Sequence, residues 1–189
     1  MSSEERNLAI DNMLAKNALN DLVMRFCRAA DRRDYDLLRT FFHDDAVYKV
    51  GNVFSGSVDE CLEWLSGAME AFELTNHFVC NASYRIDGDR ADGELYFIAY
   101  HRTIGAELIA NQRTSSAEPK HLIVTGRYLD NYECRHGEWK LACRHLAWDA
   151  AFTAEVAEAD ARLLQSFGET GGLENDLSYR ALPLMARGR

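Results

Sequence analysis

Thr75-Asn76-His77-Phe78-Val79-Cys80-Asn81-Ala82-Ser83-Tyr84-Arg85-Ile86 is the stretch in which the pattern of this chain changes. Its aromatic and β-branched residues follow a period of two, the period of a strand, because successive side chains leave a pleated backbone on opposite faces. Alternation puts His77, Val79 and Asn81 on one face and Phe78, Cys80, Ala82, Tyr84 and Ile86 on the other. Ahead of this stretch the period is helical. From Ala9 to Ala30 the residues Met13, Leu14, Leu19, Leu22, Val23, Phe26, Cys27 and Ala30 recur at three- and four-residue steps, which predicts an amphipathic helix. Asp34 is placed to cap a short second helix carrying Leu37, Leu38 and Phe41. His43-Asp44-Asp45 then reads as a turn into a short strand, Ala46 to Val50. Ser57-Val58-Asp59-Glu60 is a capping box, and Val58, Leu62, Leu65, Met69 and Phe72 follow at the spacing of a third helix.

Downstream the period of two persists. Ala91 to Thr103, Leu122 to Cys134 and Trp139 to Ala150 read as further strands, separated by turn signals such as Asp87-Gly88-Asp89 and Arg135-His136-Gly137. Strands this close in sequence form antiparallel meanders more readily than parallel units, so helices followed by a curved antiparallel sheet predict an α+β domain over residues 1–152. Ile104 to His121 reads as a long polar connection. The region 153–189 reads as a helix from Thr153 to Phe167, then Gly168-Glu169-Thr170-Gly171-Gly172 and a mixed tail, packed on the same domain or on a neighbouring subunit.

Composition narrows the functional classes. The chain of 189 residues is 47% apolar and 27% charged, the profile of a globular domain. Twenty-one basic residues against 30 acidic ones leave a net charge of −9, unsuited to binding the phosphates of nucleic acid. No apolar run approaches the roughly 18 residues of a membrane span, and the polar start, Met1 to Arg6, leads into no signal-type stretch. The expectation is a cytoplasmic protein with no membrane partner. Its five cysteines are odd in number and form no C-x-x-C pair, which suggests neither a disulfide framework nor zinc. Dinucleotide, P-loop, nucleophile-elbow and zincin motifs are all missing, so neither cofactor nor metal is expected.

What remains is a set of polar residues that such a shell could turn inward. Asp31 closes the first helix, and His77 lies early on the first long strand, with Asn81 on the same face. A carboxylate beside an imidazole fixes the tautomer of the ring and stabilises the imidazolium formed when histidine takes a proton. The same residues also suit a helix end and a satisfied core histidine. Arg144 lies mid-strand on the face of Ala142, Leu146 and Trp148, where it needs a carboxylate, a bound anion or the outer surface to satisfy it.

The order of these elements resembles the nuclear transport factor 2-like (cystatin-like, SnoaL-like) superfamily. The resemblance is carried by Ala30-Asp31-Arg32-Arg33, Phe42-His43-Asp44-Asp45-Ala46-Val47-Tyr48, Tyr128-Leu129-Asp130-Asn131-Tyr132-Glu133 and Gly137-Glu138-Trp139-Lys140-Leu141, within Asn17 to Asp149. It implies a cone-shaped roll whose sheet wraps the helices and encloses a pocket. The branch holding hexachlorocyclohexane dehydrochlorinase, scytalone dehydratase and the bile acid 7α-dehydratases is similar in more detail. There an aspartate ending the first helix pairs with a histidine on the strand after the third helix, and in the dehydrochlorinase and the bile acid dehydratases an arginine of the last strand also contributes to the site. Asp31, His77 and Arg144 match these positions. Five residues before the aspartate those enzymes place lysine or tyrosine, whereas this chain has Phe26.

The resemblance implies a cofactor-free lyase or isomerase, with His77 as general base, Asp31 orienting it and Arg144 binding substrate or developing negative charge. Walls formed by Phe26, Tyr48, Phe72, Val79, Leu146 and Trp148 would suit a small hydrophobic, cyclic ligand bearing a hydroxyl or carbonyl. Two other readings stay open: a non-catalytic small subunit of an aromatic-ring-hydroxylating dioxygenase, and a carrier of hydrophobic metabolites. The apolar outer face at Phe78, Cys80, Tyr84 and Ile86 predicts a homo-oligomer, dimer or trimer.

Overall fold

Ser2 opens the first helix with a capping box: its hydroxyl accepts from the Glu5 N–H at 3.1 Å and its own N–H donates to the Glu5 carboxylate at 2.7 Å. In the structure of the protein, a computed structural model describing residues 1–104, 106–109, 112–115, 118–159, 162–163 and 176–185, helix α1 (Ser3–Asp31) thus starts ahead of the expected Ala9. Only its second half, with Leu19, Leu22, Val23, Phe26, Cys27 and Ala29, is buried. Asp34 caps α2 (Tyr35–Thr40) by accepting from the Leu37 N–H at 3.2 Å, as its position predicts. β1 (Phe42–Val50) and β2 (Phe54–Ser57) lead to α3 (Val58–Met69), whose Ser57/Glu60 capping box forms as expected. His43-Asp44-Asp45 lies inside β1 and makes no turn ahead of it. Pairing of β1 with its neighbour is irregular between Phe42 and Val47, and the turn-forming residues occupy that irregularity.

The long strands are β3 (Phe72–Asp87), β4 (Arg90–Thr103), β7 (Lys120–Arg135) and β8 (Glu138–Glu155). The sheet order is β2-β1-β8-β7-β4-β3, with only the β1–β8 neighbours parallel. The polar connection after β4 carries a separate hairpin of β5 (Ala106–Ile109) and β6 (Gln112–Ser115). Thr153 to Glu155 belong to β8, which stays paired with β7 as far as Lys120↔Glu155, so the helix expected from Thr153 does not begin there. Val156 and Ala157 are in neither helix nor strand, and Glu158, Ala159, Arg162 and Leu163 are helical; residues 160–161, 164–167 and Gly168 to Gly172 lie outside the described residues. A short helix, α4 (Leu177–Ala181), follows.

Bulges on β3 and β8 decide which side chains face the core. On β3 the register runs Val79↔Phe97 and then Ala82↔Leu95, so Cys80 and Asn81 together oppose Tyr96 and the parity of the strand inverts. His77 and Val79 face inward as expected. Asn81 does not: it is exposed, and Tyr84 and Ile86, expected outside, pack against the core. On β8 the register with β7 shifts twice, between Leu141↔Tyr132 and Cys143↔Asn131, so that Leu141 and Arg144 both face inward, and again between Trp148↔Gly126 and Ala150↔Thr125; Trp148 lies on the inner row but at the rim, 53% exposed. Phe26 and Tyr48, expected as pocket walls, are closed into the core; the Phe26 ring contacts Phe41, Phe42 and Tyr128. Among the described residues no helix is long and apolar enough to cross a membrane.

Candidate active site

Asp31 is the last residue of α1, where the helix's own carbonyls form the negative end of its dipole and disfavour a carboxylate by about 0.3–1 kcal/mol. Strand β3 supplies the compensation. The His77 backbone N–H donates to Asp31 Oδ2 at 3.1 Å, and His77 Nδ1 lies 2.7 Å from Asp31 Oδ1. A carboxylate accepts, so Nδ1 carries a proton, and in the neutral ring the lone pair lies on Nε2. The two side chains are 14% and 13% exposed, sheltered yet reachable. This pair joins the end of a helix to a strand 46 positions further along the chain, as the sequence predicts.

A second histidine stands beside the pair. His101 on β4 lies opposite Thr75 of β3, with its ring stacked on Phe72 at 4.6 Å and edge-on to His77 at 5.7 Å. It is 7% exposed, and its Nδ1 and the Thr75 hydroxyl are buried without hydrogen-bond partners. Burial, reinforced by His77, pushes the His101 pKa down to about 3, so the ring is neutral at pH 7. Sequence reading passed over His101 although the signal was there: the alternation of Leu95, Phe97, Ala99 and His101 points all of them inward. The shift has a consequence for stability. Below the ordinary histidine pKa of about 6.5 the unfolded chain binds a proton that the folded chain refuses until about pH 3, so the contribution of His101, complete above pH 6.5, declines as pH falls. Between pH 7.5 and 4.5 the wild type is expected to lose about 2–3 kcal/mol more than His101→Gln, read from urea midpoints.

Arg144 has no exposed surface. Its Nε and Nη2 donate to Asp130 at 2.8 and 2.7 Å, Asp130 also accepts from the Tyr132 hydroxyl at 2.6 Å, and the guanidinium lies 4.2 Å from the ring centres of both Phe26 and Tyr128. Burial by itself would lower the Arg144 pKa; the Asp130 charge and hydrogen bonds outweigh it and hold the group well above its usual range. The substrate contact expected of Arg144 is not made available here, because Asp130 takes two of its nitrogens and aromatic rings flank it. Only Nη1 is left without a partner. Asp130, missed in the sequence, shares the inward alternation of Tyr128 and Tyr132 and sits opposite Arg144 in the ladder.

Val79 follows His77 on the same face of β3, and Phe72 stacks on His101; Leu146 is half-buried on β8, and Trp148 lies on the inner row of Val79, Phe97 and Gly126. Helix α4 seats on the last turns of α1: Arg32 reaches Asp176 at 3.3 Å and Ser178 at 3.2 Å, and Arg28 lies over the Tyr179 ring at 5.1 Å. A concavity of 690 Å³ on the outer face of the sheet, lined by Lys49, Arg85, Glu94, Asn131 and His145 among others, contains neither member of the pair. Among the described residues no group of three or more His, Cys, Asp or Glu side chains is arranged to hold a metal ion.

Comparison with known proteins places the fold. The model of a SnoaL-like domain matches residues 11–145. No curated protein matches the sequence. Among solved structures, a scytalone dehydratase candidate from Novosphingobium aromaticivorans is 19% identical, with a TM-score of 0.64 over 77% of this chain and 91% of that one. The hexachlorocyclohexane dehydrochlorinase LinA-type3 of Novosphingobium barchaimii is 16% identical, with a TM-score of 0.65 over 79% of this chain and 95% of that one. A cystatin-like protein of unknown function from Nostoc punctiforme is 17% identical, with a TM-score of 0.55 over 72% and 92%. At these identities the similarity establishes the fold.

Proposed function

The chain belongs to the SnoaL-like domain family, and on that footing we propose that it is a lyase or isomerase that works through side chains alone, with His77 as general base and Asp31 as its orienting partner. The hydrogen bond between His77 Nδ1 and Asp31 Oδ1 carries this reading. With Nδ1–H held by the carboxylate, Nε2 takes a proton from a carbon next to a carbonyl, and the Asp31 charge stabilises the resulting imidazolium. The same imidazolium then returns the proton. Delivered to a leaving hydroxyl it releases water and completes an elimination; delivered to another carbon it moves a double bond.

The substrate class follows from what surrounds His77. Val79 on the face of His77 and Phe72 stacked on His101 offer apolar surface beside the polar His77 ring, with Leu146 and Trp148 on the inner face of β8. A small, mostly apolar ring bearing a hydroxyl or carbonyl fits that combination. A crystal soaked with cyclohex-2-enone tests it. The expected result is the ring against Trp148 and Val79, with a carbon next to the carbonyl facing His77 Nε2. A ring bound only on the outer face of the sheet would contradict the reading.

We infer also that copies of this chain associate through the outer face of the sheet. The apolar patch there comprises Phe78, Tyr96, Ile98, Ile123 and Phe152, each at least 40% exposed. It differs from the patch expected from the sequence, since Tyr84 and Ile86 turn inward. Light scattering at micromolar concentration is expected to give a multiple of 21.4 kDa, and a monomer mass would refute the association.

A further inference from the structure

Helix α1 ends in a pair of hydrogen bonds that usually selects glycine. The Arg33 N–H donates to the Ala30 carbonyl at 3.1 Å and the Asp34 N–H to the Ala29 carbonyl at 2.9 Å, the pattern of a Schellman motif with Arg33 at its left-handed position. Arg33 has φ +52°, a conformation that glycine adopts without steric penalty and arginine does not. Its Nε is moreover buried without a partner. Two local penalties therefore meet in one residue, two positions after Asp31.

What the side chain does is visible. Arg33 Nη2 donates to the carbonyl of Phe72, the first residue of β3. Strand β3 is thus tied to the end of α1 at two points, Phe72 to Arg33 and His77 to Asp31. The ladder with β4 is regular from Leu74 to Val79 and shifts between Phe72 and Leu74, so it fixes His77 against β4, while the two ties fix β3 against the end of α1. Phe72 in turn stacks on His101, whose ring meets that of His77. We infer that Arg33 is a positioning residue for the Asp31–His77 pair: by holding the Phe72 carbonyl it sets how the start of β3 lies against the end of α1, and so how the imidazole meets the carboxylate. The inference builds on the reading of that pair as the base of the site.

The test needs no substrate. Arg33→Gly suits the left-handed backbone and removes the side chain, so it breaks the link to Phe72 without straining the helix end. Long-range proton–nitrogen NMR of the His77 ring in the full chain, at a pH where the ring is neutral, reads which nitrogen carries the proton. The wild type is expected to show the Nδ1–H form, and Arg33→Gly to shift toward the Nε2–H form with its thermal transition still cooperative. Arg33→Lys, which keeps a donor for the carbonyl, is expected to keep the Nδ1–H form. A folded Arg33→Gly protein with its Nδ1–H form intact would overturn the inference. So would an Arg33→Gly chain that does not fold, since the residue would then hold the fold and not the pair. A chain without the proposed activity can still give the expected tautomers, so the two readings fail separately.

Discussion

His77→Ala is expected to lower turnover by about 10²–10⁴-fold while the chain stays folded, the range for loss of a positioned general base. At about 1.36 kcal/mol per decade this is about 3–5 kcal/mol of transition-state stabilisation. Asp31→Asn is expected to be comparably severe. An amide cannot stabilise the imidazolium, and it can offer its own N–H to Nδ1, which would move the proton to Nε2 and block the base. Because the two residues act as one unit, the double variant should be little worse than His77→Ala alone. Steady-state rates of the three variants on one substrate, with near-ultraviolet circular dichroism as the fold control, decide this. A double variant that multiplies the two single losses would mean that the residues act independently.

The largest effect on stability is expected at a different place. Asp130→Ala leaves the Arg144 guanidinium with no exposed surface and no counter-ion, and breaking a buried pair from one side costs about 3–5 kcal/mol. Replacing both partners by apolar residues, as in Asp130→Leu with Arg144→Met, removes the uncompensated charge as well and should recover most of the loss. Guanidinium unfolding of the single and double variants reads the difference. A single variant within about 1 kcal/mol of wild type would mean that the pair is not held dry as its geometry indicates.

The pairing of Asp31 with His77 was legible because it rests on two simple facts, the end of a long amphipathic helix and the parity of the first residues of β3. The errors in that strand begin where parity fails. Cys80 and Asn81 carry no marker of a bulge, yet the bulge there sends Asn81 outward and Tyr84 and Ile86 inward. Arg144 shows a different limit. Its inward face could be read, but not which group would satisfy it, since the partner Asp130 belongs to the neighbouring strand and their meeting depends on register. Phe26 and Tyr48 were rightly placed inside and wrongly assigned to a pocket wall, because alternation reports a face and says nothing of how tightly that face is filled. The unexpected length of β8 has a similar origin: Ala151 to Glu155 suits a helix locally and is held extended by its ladder with β7.

Deuterium wash-in at the carbons next to the carbonyl of cyclic ketones tests the role of His77 most directly, because it isolates proton abstraction from whatever leaves afterwards. Cyclohexanone, cyclohex-2-enone and 2-tetralone in D₂O, followed by proton NMR, provide three ring shapes. The expected result is that the wild-type protein exchanges at least one of them faster than buffer does and that folded His77→Ala falls back to the buffer rate. Acceleration undiminished in folded His77→Ala, or none of the three exchanged faster by the wild type, would contradict it.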